Sequence, residues 1–405
     1  MTLRIVALSI MAVLMMLLAG CGDRENPADI EDIAHGTIYM YPLKFNHIEY
    51  NETGMENWVH YRQRPFLIYT PPGYVADPPG EGPKFPVLYL LHDFTSYSDS
   101  NTAFLFANIG LVADKMIADG EIVPMVIVMP DASTPVGGSF YQDGWGLWNR
   151  NESAKKQSGN FEKMIYRDLV NYTEVQAYPY EMPFSIIRKR ASRGIAGFGM
   201  GGYGALMIAM KHPDLFGSVS LLDGFTSVEE NIDGLIAGVF DENNVAAGDM
   251  DSFLDIDSSF FRPNTSLALS MATAFSQHDS LGTDDATYLP KFGVDLPFDE
   301  NGDLVQEKWQ LWLDKDITAS LLDLYYMNLE STSVYFRYSA ENQYHTAQQA
   351  AACIAKLQSL GITDIESESY QGYEGFPATH GAFTYEQIGE LLKFHSRHLD
   401  TDPGE

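Results

Sequence analysis

The feature that most constrains this chain is an apolar run that breaks into glycines and then continues with helical spacing, over residues 193–212 (RGIAGFGMGGYGALMIAMKH). A buried strand, a sharp turn and a helix in this order are the setting of the G-x-S-x-G nucleophile elbow, whose turn lifts a serine hydroxyl above a sheet. Gly197 and Gly201 are the flanking glycines, and they would let strand and helix pack closely. The serine position holds Gly199, so the pattern predicts the elbow without its hydroxyl.

The same glycines also fit a second motif. Gly197, Gly199 and Gly202 spell G-x-G-x-x-G after a strand, and Asp223 ends the next apolar run. A dinucleotide-binding fold places its ribose-binding acid at about that distance. A nucleotide-binding α/β protein is therefore a minor alternative on this stretch alone.

Motifs outside the elbow favour the first interpretation. The elbow region and the segments FLIYTPPGY (66–74) and VPMVIVMPDA (123–132) resemble the putative esterase family, which includes esterase D, feruloyl esterases, S-formylglutathione hydrolases and mycolyltransferases. This resemblance implies an α/β-hydrolase fold, with a mostly parallel central sheet flanked by helices. The acidic loops and short helical patterns at about residues 224–330 predict a cap-like insertion in that fold.

The resemblance also implies the positions of a catalytic site. His380, in a loop before the last helical pattern, takes the position of the general base, and the acid position falls on Asn342 or its neighbour Glu341. Asparagine can hold an imidazole, but only glutamate can stabilise its cation by charge. The oxyanion hole would use the backbone N–H groups of Met200 and residue 93, where the family usually has glycine and this chain has Asp93. A carboxylate there opposes an oxyanion unless it points to solvent.

An aromatic cluster follows the strand that ends near residue 129. Tyr141, Trp145 and Trp148 lie in the loop where relatives carry residues that contact substrate. Aromatic side chains on such a loop suit a sugar or an aromatic acyl group, and they equally suit packing. We expect substrate binding here, with packing as the alternative.

The first residues predict a secretion signal. An apolar run at 5–18 follows Arg4 and ends in Leu-Ala-Gly-Cys, which resembles a bacterial lipobox and places lipid on Cys21. We therefore expect a lipoprotein signal peptide at 1–20, a polar tether at 21–36 and the hydrolase domain at 37–400. The expected location is the cell envelope, on the periplasmic or surface side of a membrane. An ordinary signal peptide or an uncleaved anchor is the alternative.

Composition limits the partners. The net charge is −30, from 55 acidic and 25 basic residues, which disfavours nucleic acid and makes the lipid the expected membrane contact. Cys353 lies in a helical pattern and is expected to be a packing residue. The acidic run at 299–303 lacks the spacing of a calcium loop and is read as a turn, and we expect neither a metal nor a cofactor.

The missing serine determines the expected function. Removing the nucleophile from such a triad abolishes nearly all covalent turnover. Our leading interpretation is a binding or structural protein for a carbohydrate or an acyl ester. The alternative is a carboxylic ester hydrolase or acyltransferase, in which His380 activates water directly or a loop supplies a serine.

Overall fold

Twelve strands are present in the part of the chain that the structure, a computed structural model, describes: residues 33–44, 63–75, 82–94, 99–144, 159–175, 184–257, 262–278, 287–373, 375–382 and 384–404. In chain order they are β1 (Thr37–Lys44), β2 (Gln63–Thr70), β3 (Val87–Leu91), β4 (Val126–Pro130), β5 (Ser133–Thr134), β6 (Gly137–Gly138), β7 (Arg193–Phe198), β8 (Ser218–Leu222), β9 (Tyr288–Leu289), β10 (Val294–Asp295), β11 (Ser333–Ser339) and β12 (Ile365–Tyr370).

Eight of these strands form the central sheet, in the order β1-β2-β4-β3-β7-β8-β11-β12. From β4 to β12 neighbouring strands are parallel, whereas β1 pairs antiparallel with β2 and β2 antiparallel with β4. The pairs β5–β6 and β9–β10 form small separate ribbons. The predicted α/β-hydrolase fold, with its mostly parallel sheet, is confirmed.

Helices cover both faces of the sheet. They are α1 (Asp99–Ala118), α2 (Phe161–Lys163), α3 (Val170–Glu174), α4 (Met200–Lys211), α5 (Ile232–Asn243), α6 (Met250–Leu254), α7 (Pro263–Phe275), α8 (Gln306–Leu313), α9 (Leu322–Tyr325), α10 (Thr346–Ser359) and α11 (Thr384–His398). Two π-helical segments (Met164–Leu169 and Ile317–Leu321) and two 3₁₀ turns (Arg190–Ser192 and Tyr326–Leu329) complete the helical structure of the described residues.

Strand β3 shows why the sheet needs a helical layer on each face. All five of its residues are buried, and alternate side chains point to opposite faces. Leu88 and Leu90 join the apolar cluster that α1 and α11 cover, whereas Tyr89 joins the larger cluster on the face of α4 and α10. The continuous apolar run VLYLL therefore produces a strand that is buried on both faces.

The chain between β8 and β11, for which we predicted an insertion, folds into α5–α9 and the β9–β10 ribbon. Helix α7 packs against the start of the loop that follows β4, where Ser270 Oγ accepts a hydrogen bond of 2.8 Å from the Gly138 N–H. The acidic run at 299–303 is a turn, because Asp299 Oδ1 accepts the N–H groups of Asn301 and Asp303. This segment is thus attached to the rest of the fold near the strand ends.

Some expectations fall on residues outside the described part. The signal peptide at 1–20 and Cys21 are among them, and so is most of the tether at 21–36. In the described chain no helix combines the length and apolar character needed to cross a bilayer, and no group of three or more His, Cys, Asp or Glu could hold a metal. Cys353 is buried in α10, and burial raises the pKa of its thiol to about 12, as suits a packing residue.

Candidate active site

The elbow has the geometry that its glycines predict. Gly199 adopts φ +52° and ψ −113° between β7 and α4, a conformation that side-chain-bearing residues rarely take. A Cβ on Gly197 would lie 2.1 Å from the carbonyl carbon of Gly201, and one on Gly201 would lie 2.2 Å from the Leu91 oxygen. Strand and helix therefore approach closely because the flanking residues are glycines.

Four chain segments meet beside this turn. Asp93 follows β3, Gly199 follows β7, Asn342 follows β11, and His380 lies in the loop between β12 and α11. All four come after the carboxyl ends of parallel strands, which lie at the same edge of the sheet. The sequence positions chosen for the site therefore converge in space, with one difference in what residue 93 contributes.

Asp93 contributes its side chain, which occupies the position of the missing serine. Its Oδ1 accepts a 2.8 Å hydrogen bond from the Met200 N–H, and its Oδ2 lies 2.7 Å from His380 Nε2. A Cβ added to Gly199 would lie 2.0 Å from Oδ1 and 2.4 Å from Cγ of Asp93. The residue is 3% exposed, so the alternative in which its carboxylate points to solvent is wrong. It binds the N–H expected to serve the oxyanion and the imidazole expected to serve a nucleophile at position 199.

Asn342 is the residue at the acid position that contacts the imidazole. Its Oδ1 accepts the Tyr344 N–H at 2.9 Å, which orients the amide so that Nδ2 faces His380 Nδ1 at 3.1 Å. Glu341, the other candidate, is exposed, and its backbone N–H donates to Ala378.

This orientation reverses the direction of the hydrogen bonds. In a serine triad the acid accepts from Nδ1–H, and Nε2 accepts from the serine. Here Asn342 donates to Nδ1, so the proton of the neutral ring resides on Nε2 of His380 and is donated to Asp93. The imidazole is held in the tautomer that cannot accept a proton at Nε2.

Opposing influences act on the protonation of His380. Burial lowers its pKa, but the charge and hydrogen bond of Asp93, aided by the charge of Asp223, outweigh burial and raise the pKa above its ordinary value. A second proton on Nδ1 would meet the amide N–H₂ of Asn342. Protonation therefore requires that amide to turn over and give up its bond from the Tyr344 N–H.

Aromatic rings enclose the imidazole. The centroid separations from the His380 ring are 4.8 Å for Phe198, 5.0 Å for Tyr344, 5.6 Å for Phe225 and 6.2 Å for Phe94. The His380 side chain is 5% exposed and the Asp93 side chain 3% exposed. The pair is thus held in an apolar, nearly water-free enclosure, where it interacts more strongly than at a surface.

Comparison with known proteins agrees with the predicted family and fold. A family model described as "Putative esterase" matches residues 60–312. The chain belongs to the putative esterase family. The match includes Asp93 and Gly199 of this esterase-family chain and ends before Asn342 and His380.

Relatives of this esterase-family protein are partial matches. The chain is 26% identical over 212 residues to an endo-1,4-beta-xylanase/feruloyl esterase of Xylanibacter ruminicola, covering 51% of this chain and 25% of the relative. It is 29% identical over 193 residues to an esterase of Mycobacterium tuberculosis, covering 47% of this chain and 36% of the relative. The chain therefore spans well under half the length of these curated relatives.

Solved structures share the fold at low identity. A ferulic acid esterase superposes with a TM-score of 0.50 and 15% identity, covering 91% of this chain and 100% of that chain. An S-formylglutathione hydrolase from Agrobacterium tumefaciens superposes with a TM-score of 0.50 and 14% identity, covering 90% and 96%. These similarities place the esterase-family chain in the α/β-hydrolase fold.

The predicted substrate loop is only partly described. Tyr141 is fully buried, its hydroxyl donates to the His92 carbonyl at 3.2 Å, and its ring lies against Gly204. It packs inside the fold in this structure, as the packing alternative expects, and its assignment to substrate binding stays a prediction. Trp145 and Trp148 lie outside the described residues.

His92 is a residue of the site that the sequence interpretation missed. Its Nδ1 donates to the Asp93 carbonyl and its Nε2 accepts the Ala132 N–H, both at 2.7 Å. The ring is buried and joins the loop after β3 to the loop after β4. It thereby positions the backbone that carries the Asp93 carboxylate. Only its place directly before Asp93 hinted at this role.

Asp223 holds the segment that carries Asn342. It is buried and has φ +48°. Its Oδ1 accepts the Ser339 N–H at 2.7 Å and the Thr346 hydroxyl at 2.9 Å, and its Oδ2 accepts the Ser339 hydroxyl. These bonds hold the end of β11 and the start of α10, on either side of Asn342. Asp223 is therefore committed to the hydrolase framework, and the nucleotide-binding alternative is wrong.

Proposed function

We propose that this member of the esterase family has lost serine ester hydrolysis and acts as a binding or structural protein for a carbohydrate or an acyl ester. One observation carries the proposal. The Asp93 carboxylate lies where the nucleophile side chain belongs, and it binds both the Met200 N–H and His380 Nε2.

Each group that serine chemistry requires is missing or engaged. Residue 199 has no hydroxyl, the Nε2 of His380 donates to Asp93, and the amide that would stabilise an oxyanion already binds an anion. Substrate carbonyl oxygen would have to displace a carboxylate and then develop negative charge beside it. The rate enhancement that survives loss of a nucleophile in other triads depends on a free oxyanion hole.

Direct activation of water by His380 is opposed by the same contacts. A general base needs an unprotonated nitrogen within hydrogen-bond reach of the water, but Nε2 carries the proton and Nδ1 accepts from Asn342. The ring is also 5% exposed, which leaves little access for water. A serine supplied by another segment is the remaining catalytic alternative.

The ligand class rests on the relatives. One is named as an endo-1,4-beta-xylanase/feruloyl esterase and a structural neighbour as a ferulic acid esterase. A retained binding role would therefore concern a polysaccharide carrying aromatic acyl groups. Feruloylated xylo-oligosaccharide is a suitable probe, with the unsubstituted oligosaccharide as its control.

The test of lost catalysis uses the wild-type protein. A fluorophosphonate probe should leave the protein unlabelled, and p-nitrophenyl acetate and methyl ferulate should be hydrolysed no faster than by bovine serum albumin. Binding of the feruloylated oligosaccharide is measured in parallel by calorimetry. Stoichiometric labelling that maps to any serine would replace this proposal with an active hydrolase.

The envelope location is part of the proposal and is tested separately. The Leu-Ala-Gly-Cys run supports lipidation of Cys21. Cys21→Ala should move the protein from the membrane to the soluble fraction, because the acyl chains supply the membrane affinity. Cys353→Ala removes the other cysteine and should leave the membrane fraction unchanged. Membrane retention of the Cys21→Ala protein would contradict the lipid anchor.

A further inference from the structure

We propose that the Asp93 side chain is an internal carboxylate ligand of this site, and that removing it exposes a site for a free small carboxylate such as acetate. This rests on the proposed function, since it takes the site to be held out of turnover by its own side chain. Beyond the proposed function, it names a small carboxylate as the chemical class of ligand that this site binds.

The two carboxylate oxygens have separate donors. Oδ1 receives the Met200 N–H at the start of α4, a helix of 12 residues, and Oδ2 receives His380 Nε2. A backbone N–H at a helix start and an imidazole N–H are both groups that bind free carboxylates. Neither donor depends on the covalent link between the carboxylate and residue 93.

The loop that carries Asp93 is held independently of its side chain. His92 fixes the Asp93 carbonyl and binds the Ala132 N–H, and Leu91 lies within β3, paired with Gly197 of β7. Asp93→Gly removes a CH₂COO⁻ group and leaves these bonds intact. The vacated volume has the size of an acetate ion. The backbone hydrogen bonds of His92 and the β3–β7 pairing should keep this volume open.

The two N–H donors, and not the apolar enclosure, would select a carboxylate. The rings of Phe94, Phe198, Phe225 and Tyr344 surround His380, so an anion that enters loses its water and must be bound through the two donors. Acetate can accept from both. Acetamide has the same shape, but it is neutral and presents one N–H₂ group to a donor.

The experiment compares Asp93→Gly with the wild type. Calorimetry should show one acetate bound by the variant with millimolar affinity, and saturating acetate should raise its Tm by about 2 °C or more relative to equal concentrations of chloride or acetamide. The wild type should show neither effect. Asp93→Asn, which keeps the side chain in place, should also fail to bind acetate, and Asp93→Gly with His380→Gln should lose the affinity at least tenfold.

Two results would overturn the proposal. One is a folded Asp93→Gly protein that binds no acetate, and the other is an acetate effect that acetamide reproduces. If Asp93→Gly does not fold in chloride buffer, refolding yield is the readout, and only an acetate-specific recovery supports the site. Fluorophosphonate labelling of the wild type would contradict the proposed loss of serine hydrolysis and would leave the acetate result unaffected. Failure of one proposal can therefore be distinguished from failure of the other.

Discussion

A Cβ atom on residue 199 would lie 2.0 Å from Asp93 Oδ1, so a side chain at position 199 and the present position of the Asp93 carboxylate exclude each other. The glycine at position 199 and the inward-pointing Asp93 side chain are therefore sterically coupled. Their coupling sets the outcome of the simplest attempts to restore activity.

Gly199→Ser alone should not restore hydrolysis. The left-handed conformation of residue 199 costs a non-glycine residue about 1–3 kcal/mol, and contact with Asp93 adds to that loss. We expect reduced stability in urea unfolding and only background hydrolysis of p-nitrophenyl acetate. Gly199→Ala is the matched control, with the same steric cost and no hydroxyl. Activity in the serine protein alone would mean that Asp93 moves aside.

Asp93→Gly combined with Gly199→Ser should recover part of the chemistry. Removing the carboxylate frees the Met200 N–H for an oxyanion, and His380 Nε2 can accept from the serine hydroxyl once the Asn342 amide turns over. A double-mutant cycle should give a favourable coupling free energy of about 0.5–3 kcal/mol. Ester hydrolysis should exceed that of Gly199→Ser at least about tenfold, and it should disappear when His380→Ala is added. Additive stability effects would contradict the coupling.

Asn342→Asp should change the protonation of His380. A carboxylate accepts from Nδ1–H where the amide donated, so the imidazole would lie between two carboxylates. The pKa of His380, already raised by Asp93 against the effect of burial, should rise further. The pKa of His380 in the variant is measured from imidazole ¹⁵N chemical shifts across a pH series. Glu341→Gln changes an exposed neighbour and should leave the titration unaltered.

Because of His395, the free energy of unfolding should fall in mild acid. Its nitrogens lie 2.8 Å from the hydroxyls of Ser218 and Ser220, and burial, with a smaller effect from the charge of His398, lowers its pKa to about 3. The unfolded chain binds the proton near pH 6.5, whereas the folded chain does not, so this stability is complete above that pH and is lost as pH falls toward 3.

We expect the free energy of unfolding to fall by about 2 kcal/mol between pH 8 and pH 5 through this residue. His395→Gln should remove that part of the pH dependence in urea titrations. His345→Asn changes an exposed histidine and should retain it. Equal slopes for wild type and His395→Gln would show that His395 is protonated in the folded state.

The main elements could be predicted because their signals are local. An apolar run such as VLYLL has to be buried on both faces, and the glycines of the elbow fix a turn between a strand and a helix. The π-helical segment at Met164–Leu169, between α2 and α3, was not predicted.

The sequence indicated where the residues of the site lie, but it did not indicate which hydrogen bonds they make. His380 and Asn342 come together as expected, because strand ends of a parallel sheet share one edge. The role of Asp93 depends on a side-chain direction and on contacts with residues more than 100 positions away, which no local pattern encodes. For a related reason the sequence left packing and substrate binding both open for Tyr141, since an aromatic residue in a loop can turn inward against a glycine such as Gly204.

Gly197 and Gly201 remain necessary whatever residue stands between them, because a methyl group at either would collide with neighbouring backbone. Folding alone therefore requires these two glycines, whether or not the protein hydrolyses esters. The part of the motif that shapes the turn is physically separate from the part that would carry the chemistry. The two glycines therefore indicate the fold, whereas ester hydrolysis depends on residue 199 between them and on Asp93, which faces it.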